Sequence, residues 1–448
     1  MTQLNHHSVR RLAQAPHRLF FFLGMINLAF ASTWWFAAML LRLLRPDLLA
    51  VPLGMSSYLH PLVMIYGFFP FFIFGFAFTA GPRWLQMPVP ALRQYLLPGT
   101  GMGLAVVALF PAMFAGQGAV VFALALYAGC AGLLWLRFSA LIAASHARDK
   151  VHARVIQLSL AIGGITLLFA IFGIATGHAW RDLARSAGVW GFLVPLICAV
   201  CHRMLPFFTA STLNSPHFWH PWWWLVAMVA GAWLHGVLEF FGAARWLWIV
   251  DGPMALICFI MVWRWGLVQS LTNRLLAMLH LSFVWLAIAY TLSFVQALLA
   301  YAGIASLGMA PLHAVSIGFL ASITMAMVTR VTCGHAGRML VADKVTWSLF
   351  LVFQLAAVSR VAAEAFPAHY LGFIVLVYCP INNWLFVFSL SGWWSGTSGL
   401  DLLKGLAASV EFSQDGIEGC RPDERPRVVI PRFEKLADGD LQIGDAGE

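Results

Sequence analysis

The sequence predicts an all-α membrane protein: a polytopic bundle of twelve transmembrane helices with short loops and both termini cytoplasmic. Three observations predict this. Of 448 residues, 61% are hydrophobic and only 10% charged, with a mean hydropathy of +0.81, whereas a soluble domain carries about 25% charged residues. Apolar runs of the length a bilayer requires, about 20 residues, recur along the chain. Lys and Arg crowd alternate loops, which is the charge signature of orientation.

Taken in order, the predicted spans are 19–40, 59–80, 95–116, 118–144, 155–176, 187–208, 222–241, 246–265, 275–299, 304–328, 345–366 and 370–390. Helix is the expected element for each, because hydrocarbon leaves open backbone unsatisfied. Trp and Tyr gather at span ends, as at Trp219 to Trp224 and Trp393-Trp394, where an aromatic belt belongs. Placing the N-terminus inside puts fifteen Lys and Arg on the inner side, among them Arg83, Arg93, Arg148, Lys150, Arg203, Arg330 and Arg338. Six fall outside: Arg42, Arg45, Arg181, Arg185, Arg245 and Arg360.

Residues 1–18 form a cytoplasmic N-terminal segment, 19–392 the transmembrane domain, and 393–448 a polar cytoplasmic tail with the composition of disorder. The first apolar run is too long for a signal peptide and lacks a small-residue cleavage site, so it reads as a retained anchor. Of 18 acidic residues, eleven lie from Asp401 onward. The net charge of +9 is therefore about +14 on the membrane part and −5 on the tail. That excess fits lipid headgroups and topology. No basic run is long enough for a nucleic-acid partner. No P-loop and no dinucleotide glycine fingerprint is present. Buried acids are scarce (Glu239, Asp251, Glu364), which argues against a multi-site proton pump. The absence of an internal repeat weakens a transporter reading. The seven cysteines lie mostly in apolar runs and do not form a secreted disulfide framework.

The candidate chemistry lies in histidines within or beside spans. An ionisable residue there is costly and usually has a partner, and neutral imidazole is the commonest metal ligand. His60 opens the second span at its outer end, and His313 lies in the outer third of the tenth. His235 is near the outer end of the seventh, with Glu239 four residues on along the same helix face. These four side chains are candidate metal ligands at one depth, provided their helices are neighbours. A second layer lies inside: His202 near the end of the sixth span, His280 in the ninth, and His335 in the loop after the tenth. Pro206 is expected to end or kink the sixth helix. Arg203, Arg330 and Arg338 suit carboxylates such as haem propionates, and serve equally as positive-inside anchors. Cys198-Ala-Val-Cys201-His202 matches the covalent c-type haem motif. Its place in an apolar helix near the cytoplasmic face favours buried thiols and His202 as an ordinary cofactor ligand.

Four blocks resemble the NnrS family, bacterial haem- and copper-containing membrane proteins of twelve spans linked to nitric oxide and nitrosative stress. They are His60-Pro-Leu-Val-Met64-Ile-Tyr-Gly67-Phe with Gly75-Phe-Ala-Phe-Thr79-Ala80-Gly-Pro82-Arg-Trp84; Arg203-Met-Leu-Pro206-Phe-Phe-Thr209; Leu279-His280-Leu-Ser-Phe-Val-Trp285-Leu; and His313-Ala-Val-Ser-Ile-Gly318 with Thr329-Arg330 and Gly334-His335-Ala-Gly337-Arg338. The chain departs from the family pattern at Leu62 and Val63, which replace a His and a Glu, and at Ala336, which replaces a Thr.

The resemblance implies a bacterial inner-membrane protein binding non-covalent b-type haem and copper. His60, His280, His313 and His335 would be ligands, and Arg203, Arg330 and Arg338 would hold propionates. Nitric oxide would be the ligand or substrate, with a quinol or other electron donor if the chain reduces it. Haem iron with a free axial position binds such a ligand directly, and copper suits the same imidazoles. Two alternatives remain at this point. A transporter would show no visible absorbance, and a haem-free copper protein would show copper without a Soret band.

Overall fold

The computed structural model describes residues 15–44, 52–177, 181–214, 219–304, 306–335 and 339–365. The N-terminal residues 1–14, Arg338, the predicted twelfth span at 370–390 and the tail at 393–448 lie outside the described residues.

The described chain is helical throughout, without a strand. α1 spans Pro16–Leu44. The second predicted span is broken into α2 (Pro52–Tyr66), α3 (Phe69–Ala77) and α4 (Ala80–Trp84). Pro70 explains the first break. It sits in the opening turn of α3, where its missing N–H costs nothing, and in that place it favours a new helix start over continuation of α2. α5 (Leu92–Ala115) and α6 (Gln117–Ala144) form a hairpin around Gly116, whose φ of 116° requires glycine. α7 spans Val151–Thr176. The sixth span is α8 (Arg181–Ser186), a π-helical segment Ala187–Leu193, and α9 (Val194–Leu213). α10 (Trp222–Phe240), α11 (Trp248–Arg264), the short α12 (Leu267–Ser270) and α13 (Arg274–Tyr301) follow. α13 begins on Asn273, whose side chain accepts from the backbone N–H groups of Leu275 and Leu276. The tenth span is α14 (Ala310–His313), a second π-helical segment Ala314–Ala321, and α15 (Ser322–His335). α16 (Lys344–Ala362) starts on an Asp343 cap.

Ten of these helical stretches are long and apolar enough to cross a membrane. The predicted eighth span is α11, a shorter helix of 17 residues preceded by one 3₁₀ turn. Burial sorts the spans. The most apolar windows of Leu59–Trp84, Leu183–Leu213, Arg274–Tyr301 and Ala310–His335 are 89%, 78%, 72% and 78% buried, against 28% for Gln117–Ala144. The first four therefore form the centre, and they carry most of the candidate histidines. α6 instead presents Phe122, Leu133 and Leu136 outward. Such exposed apolar side chains suit lipid.

Two local expectations change. Pro206 does not end its helix, because α9 continues to Leu213. Thr209 lies in this continuation and donates its hydroxyl to the Leu205 carbonyl at 2.9 Å. His335 is the last residue of α15 rather than a loop residue, because the helix continues seven residues past the apolar run that predicted it.

Candidate functional site

At one end of the bundle α1, α2, α14 and α16 converge. The His60 ring lies flat on Trp35, with centroids 3.6 Å apart and planes at 14°. His60 Nδ1 is buried without a hydrogen-bond partner. His313, Arg360 and Arg42 are the charged neighbours within electrostatic reach of His60. His313 donates Nδ1–H to the Met309 carbonyl at 2.8 Å. That bond fixes the tautomer and leaves the Nε2 lone pair free, the arrangement that metal-binding imidazoles use. Arg360 binds Glu364 at 2.8 Å. Glu364 also closes against Gly308, where an added Cβ would stand 2.3 Å from its carboxylate. Gly308 has φ 57° as well, so its backbone favours glycine just ahead of His313, and a Cβ there would have to move the Glu364 carboxylate.

A second group occupies the opposite end. The rings of His17 and His335 lie 4.3 Å apart. His335 donates Nδ1–H to the Val331 carbonyl at 2.8 Å, which repeats the His313 arrangement. The Thr79 hydroxyl donates to the Gly75 carbonyl at 2.7 Å and is therefore free to accept from His17 Nδ1, 3.4 Å away. His280 similarly donates Nε2–H to Thr209 Oγ1 at 2.9 Å, since the Thr209 proton is given to Leu205. Arg330 is only 5% exposed, with its guanidinium 4.0 Å over the Phe208 ring and Nη1 buried without a partner.

α1 measures the separation of the two groups. His17 and Trp35 are eighteen residues apart on it, about 27 Å at roughly 1.5 Å per residue. One bound molecule cannot touch both.

His202 belongs to neither group's open positions. Its Nε2–H donates to the Pro221 carbonyl at 3.2 Å, so its Nδ1 accepts from His152 Nε2–H at 3.1 Å. His152 Nδ1 then accepts from Arg203, 3.4 Å away, and Arg203 also binds Asp149 at 3.1 Å and lies over Trp84. Both ring nitrogens of His152 and of His202 are therefore used. Cys198 and Cys201 are free thiols, 1% and 0% exposed.

His235 and Glu239, candidate metal ligands on one helix face, have different partners in the fold. Glu239 binds Arg185 at 3.6 Å, and His235 binds Asp251 at 2.8 Å. Among the described residues no three His, Cys, Asp or Glu side chains converge as a metal-holding group. The contacts of Trp35, His17, His152 and Asp251 escape sequence reasoning because each partner lies on another helix. His17 beside Pro16 at a helix start is the only one with a local cue.

A family model described as NnrS protein matches residues 11–396. The chain belongs to the NnrS family. A comparison with curated proteins finds no match. The blocks that carry the NnrS resemblance touch one another in the fold. Gly318 faces Trp285 so closely that a Cβ would stand 2.4 Å from the indole. Trp285 Nε1–H donates to Gln354 at 2.7 Å, and Gln354 donates to Ser322 at 2.9 Å. Thr79 and Thr209, from two other NnrS blocks, orient His17 and His280. Leu62 and Val63, which stand where the family has His and Glu, are each 2% exposed and join the apolar core.

Proposed function

We propose that this NnrS-family chain binds haem and copper in the bacterial inner membrane and serves the nitric oxide response, binding nitric oxide or reducing it. The family and the multi-pass helical fold fit that role. The observation that carries the reading is the preparation of His313 and His335. Each gives its Nδ1 proton to a carbonyl one turn back and offers Nε2 to a ligand. A haem held by such a nitrogen supplies an iron that binds a diatomic ligand.

The chain's own residues divide the work. His313 and His60 offer nitrogens at one end, and Trp35 covers the His60 ring. At the other end His335 and His280 are held in single tautomers. Arg330, a desolvated guanidinium with an unfilled Nη1, is suited to a propionate, and Arg203 and Arg338 are further candidates by sequence. The positive-inside rule supports an orientation with the His335 end and both termini in the cytoplasm. Two groups some 27 Å apart call for two separate sites. Turnover would also need electrons, from a quinol or another donor.

The test is an optical spectrum, oxidised and dithionite-reduced, of detergent-purified protein, with metal analysis of the same sample. The expected result is a Soret band that shifts on adding nitric oxide. A colourless sample from haem-sufficient cells overturns the haem reading. Bound copper in that sample would leave a haem-free copper protein, and no metal would leave a transporter.

A further inference from the structure

An apolar cavity of about 40 Å³ lies inside the bundle, where α1, α3, α7, α9 and α15 meet. Phe72, Val200, Cys201, Thr324 and Met327 line it, and each is buried. Two of its walls continue helix faces that carry histidines. Phe21 lines the cavity on α1, four residues after His17, and its ring lies 6.0 Å from the His17 ring. On α15 the lining residues Thr324, Met327, Val328 and Val331 recur every three or four residues and so share one face, on which His335 is the next position. The Val331 carbonyl is also the acceptor that fixes the His335 ring. The cavity therefore begins one helical turn from the His17–His335 group.

Its contents follow from its size and its polar atoms. A buried water needs two to four polar partners. The side chains here offer little to water: the Thr324 hydroxyl already donates to the Leu320 carbonyl at 2.7 Å, and the Cys201 thiol is a weak donor. The remaining lining side chains are apolar. Apolar cavities stay dry, and one of roughly 150 Å³ admits benzene or xenon. A cavity of about 40 Å³ has room for a diatomic molecule or a noble-gas atom and not for a lipid chain.

We propose that this cavity is a docking site for one small apolar molecule, and that in the protein's work it holds a diatomic gas beside the His17–His335 group. Naming that gas as nitric oxide rests on the function proposed above, whereas the cavity itself depends on no cofactor. Nitric oxide carries no charge, so it enters an apolar chamber without the desolvation cost that keeps ions and strongly polar molecules out. Such a chamber concentrates the ligand next to the imidazoles and holds it there after release.

Xenon is the probe. Crystals of the full chain pressurised with xenon are expected to show an anomalous-scattering peak bounded by Phe72, Val200, Thr324 and Met327. Val200→Phe fills the void and should remove the peak. If Val200→Phe does not accumulate, Val200→Leu adds one methylene and must lower the xenon occupancy. No peak in the unsubstituted chain overturns the proposal. So does a peak of full occupancy in the substituted chain, or an ordered water that xenon does not displace. Flash photolysis of nitric oxide from the haem-loaded chain gives the second reading. The same substitution should reduce severalfold the fraction that rebinds from within the protein, and an unchanged fraction overturns the docking role. A xenon peak in a chain that binds no haem sustains the docking site and removes only its assignment to nitric oxide.

Discussion

At the scale of the residue, the difference between a ligand and a structural histidine lies in which nitrogen is already used. His202 and His313 look equally good in the sequence. In the fold His202 spends both nitrogens on Pro221 and His152, whereas His313 spends only Nδ1. The expected outcome is that His313→Ala and His335→Ala each remove a cofactor signal from the visible spectrum or the metal analysis. His202→Ala should leave both intact and instead lower stability by about 1–3 kcal/mol, the cost of orphaned buried partners, read as a lower Tm in detergent. Arg330→Gln removes the propionate partner. Losing one charge-assisted hydrogen bond, about 1.5–3 kcal/mol, should weaken haem retention by roughly tenfold to a hundredfold in a haem-transfer assay. Unchanged retention would make Arg330 a topological anchor only. The sequence pointed to His60, His280, His313 and His335 but not to Trp35 or His17, whose contacts cross from α1 to α2 and α15.

At the scale of the element, hydrophobic run length locates the helices and misses their interruptions. The runs at 187–208 and 304–328 hold the π-helical segments Ala187–Leu193 and Ala314–Ala321. These widened turns adjoin Trp190, which covers His235, and His313, in keeping with the tendency of π-bulges to mark functional sites. No composition signal separates a π turn from an α turn. Gly318, in the second segment, lies against Trp285 on α13. Gly318→Ala forces a methyl into the indole and should cost about 1–3 kcal/mol. Thermal unfolding followed by tryptophan fluorescence checks it, and a Tm equal to wild type would show that the interface gives way freely. Gly308→Ala should likewise displace Glu364 and Arg360 and alter the signal of the His60 end while sparing that of the His335 end.

At the scale of the molecule, α1 ties the two ends together, with His17 against His335 and Trp35 against His60. If the two histidine groups face opposite membrane surfaces, as proposed, they should respond to opposite sides. Single cysteines placed beside His60 and beside His335, in a chain cleared of native cysteines, are expected to react with an impermeant thiol reagent from the outside and the inside respectively. Labelling of both from one side would overturn the assigned orientation. Deleting residues 393–448 should leave the visible spectrum unchanged, because every candidate ligand precedes it.

The sequence by itself determined that this is a multi-pass helical membrane protein, since hydrocarbon demands long apolar runs and closed backbone hydrogen bonds. It also placed the NnrS motifs and the two depths at which histidines occur, because depth is simply distance along a helix. Only the tertiary structure decided which histidines keep a free nitrogen, that Glu239 goes to Arg185 while His235 goes to Asp251, and that among the described residues Arg330 Nη1 has no hydrogen-bond partner. The physical reason is that a helix fixes depth locally, while the partner of a buried polar atom is chosen by whichever distant helix packs against it.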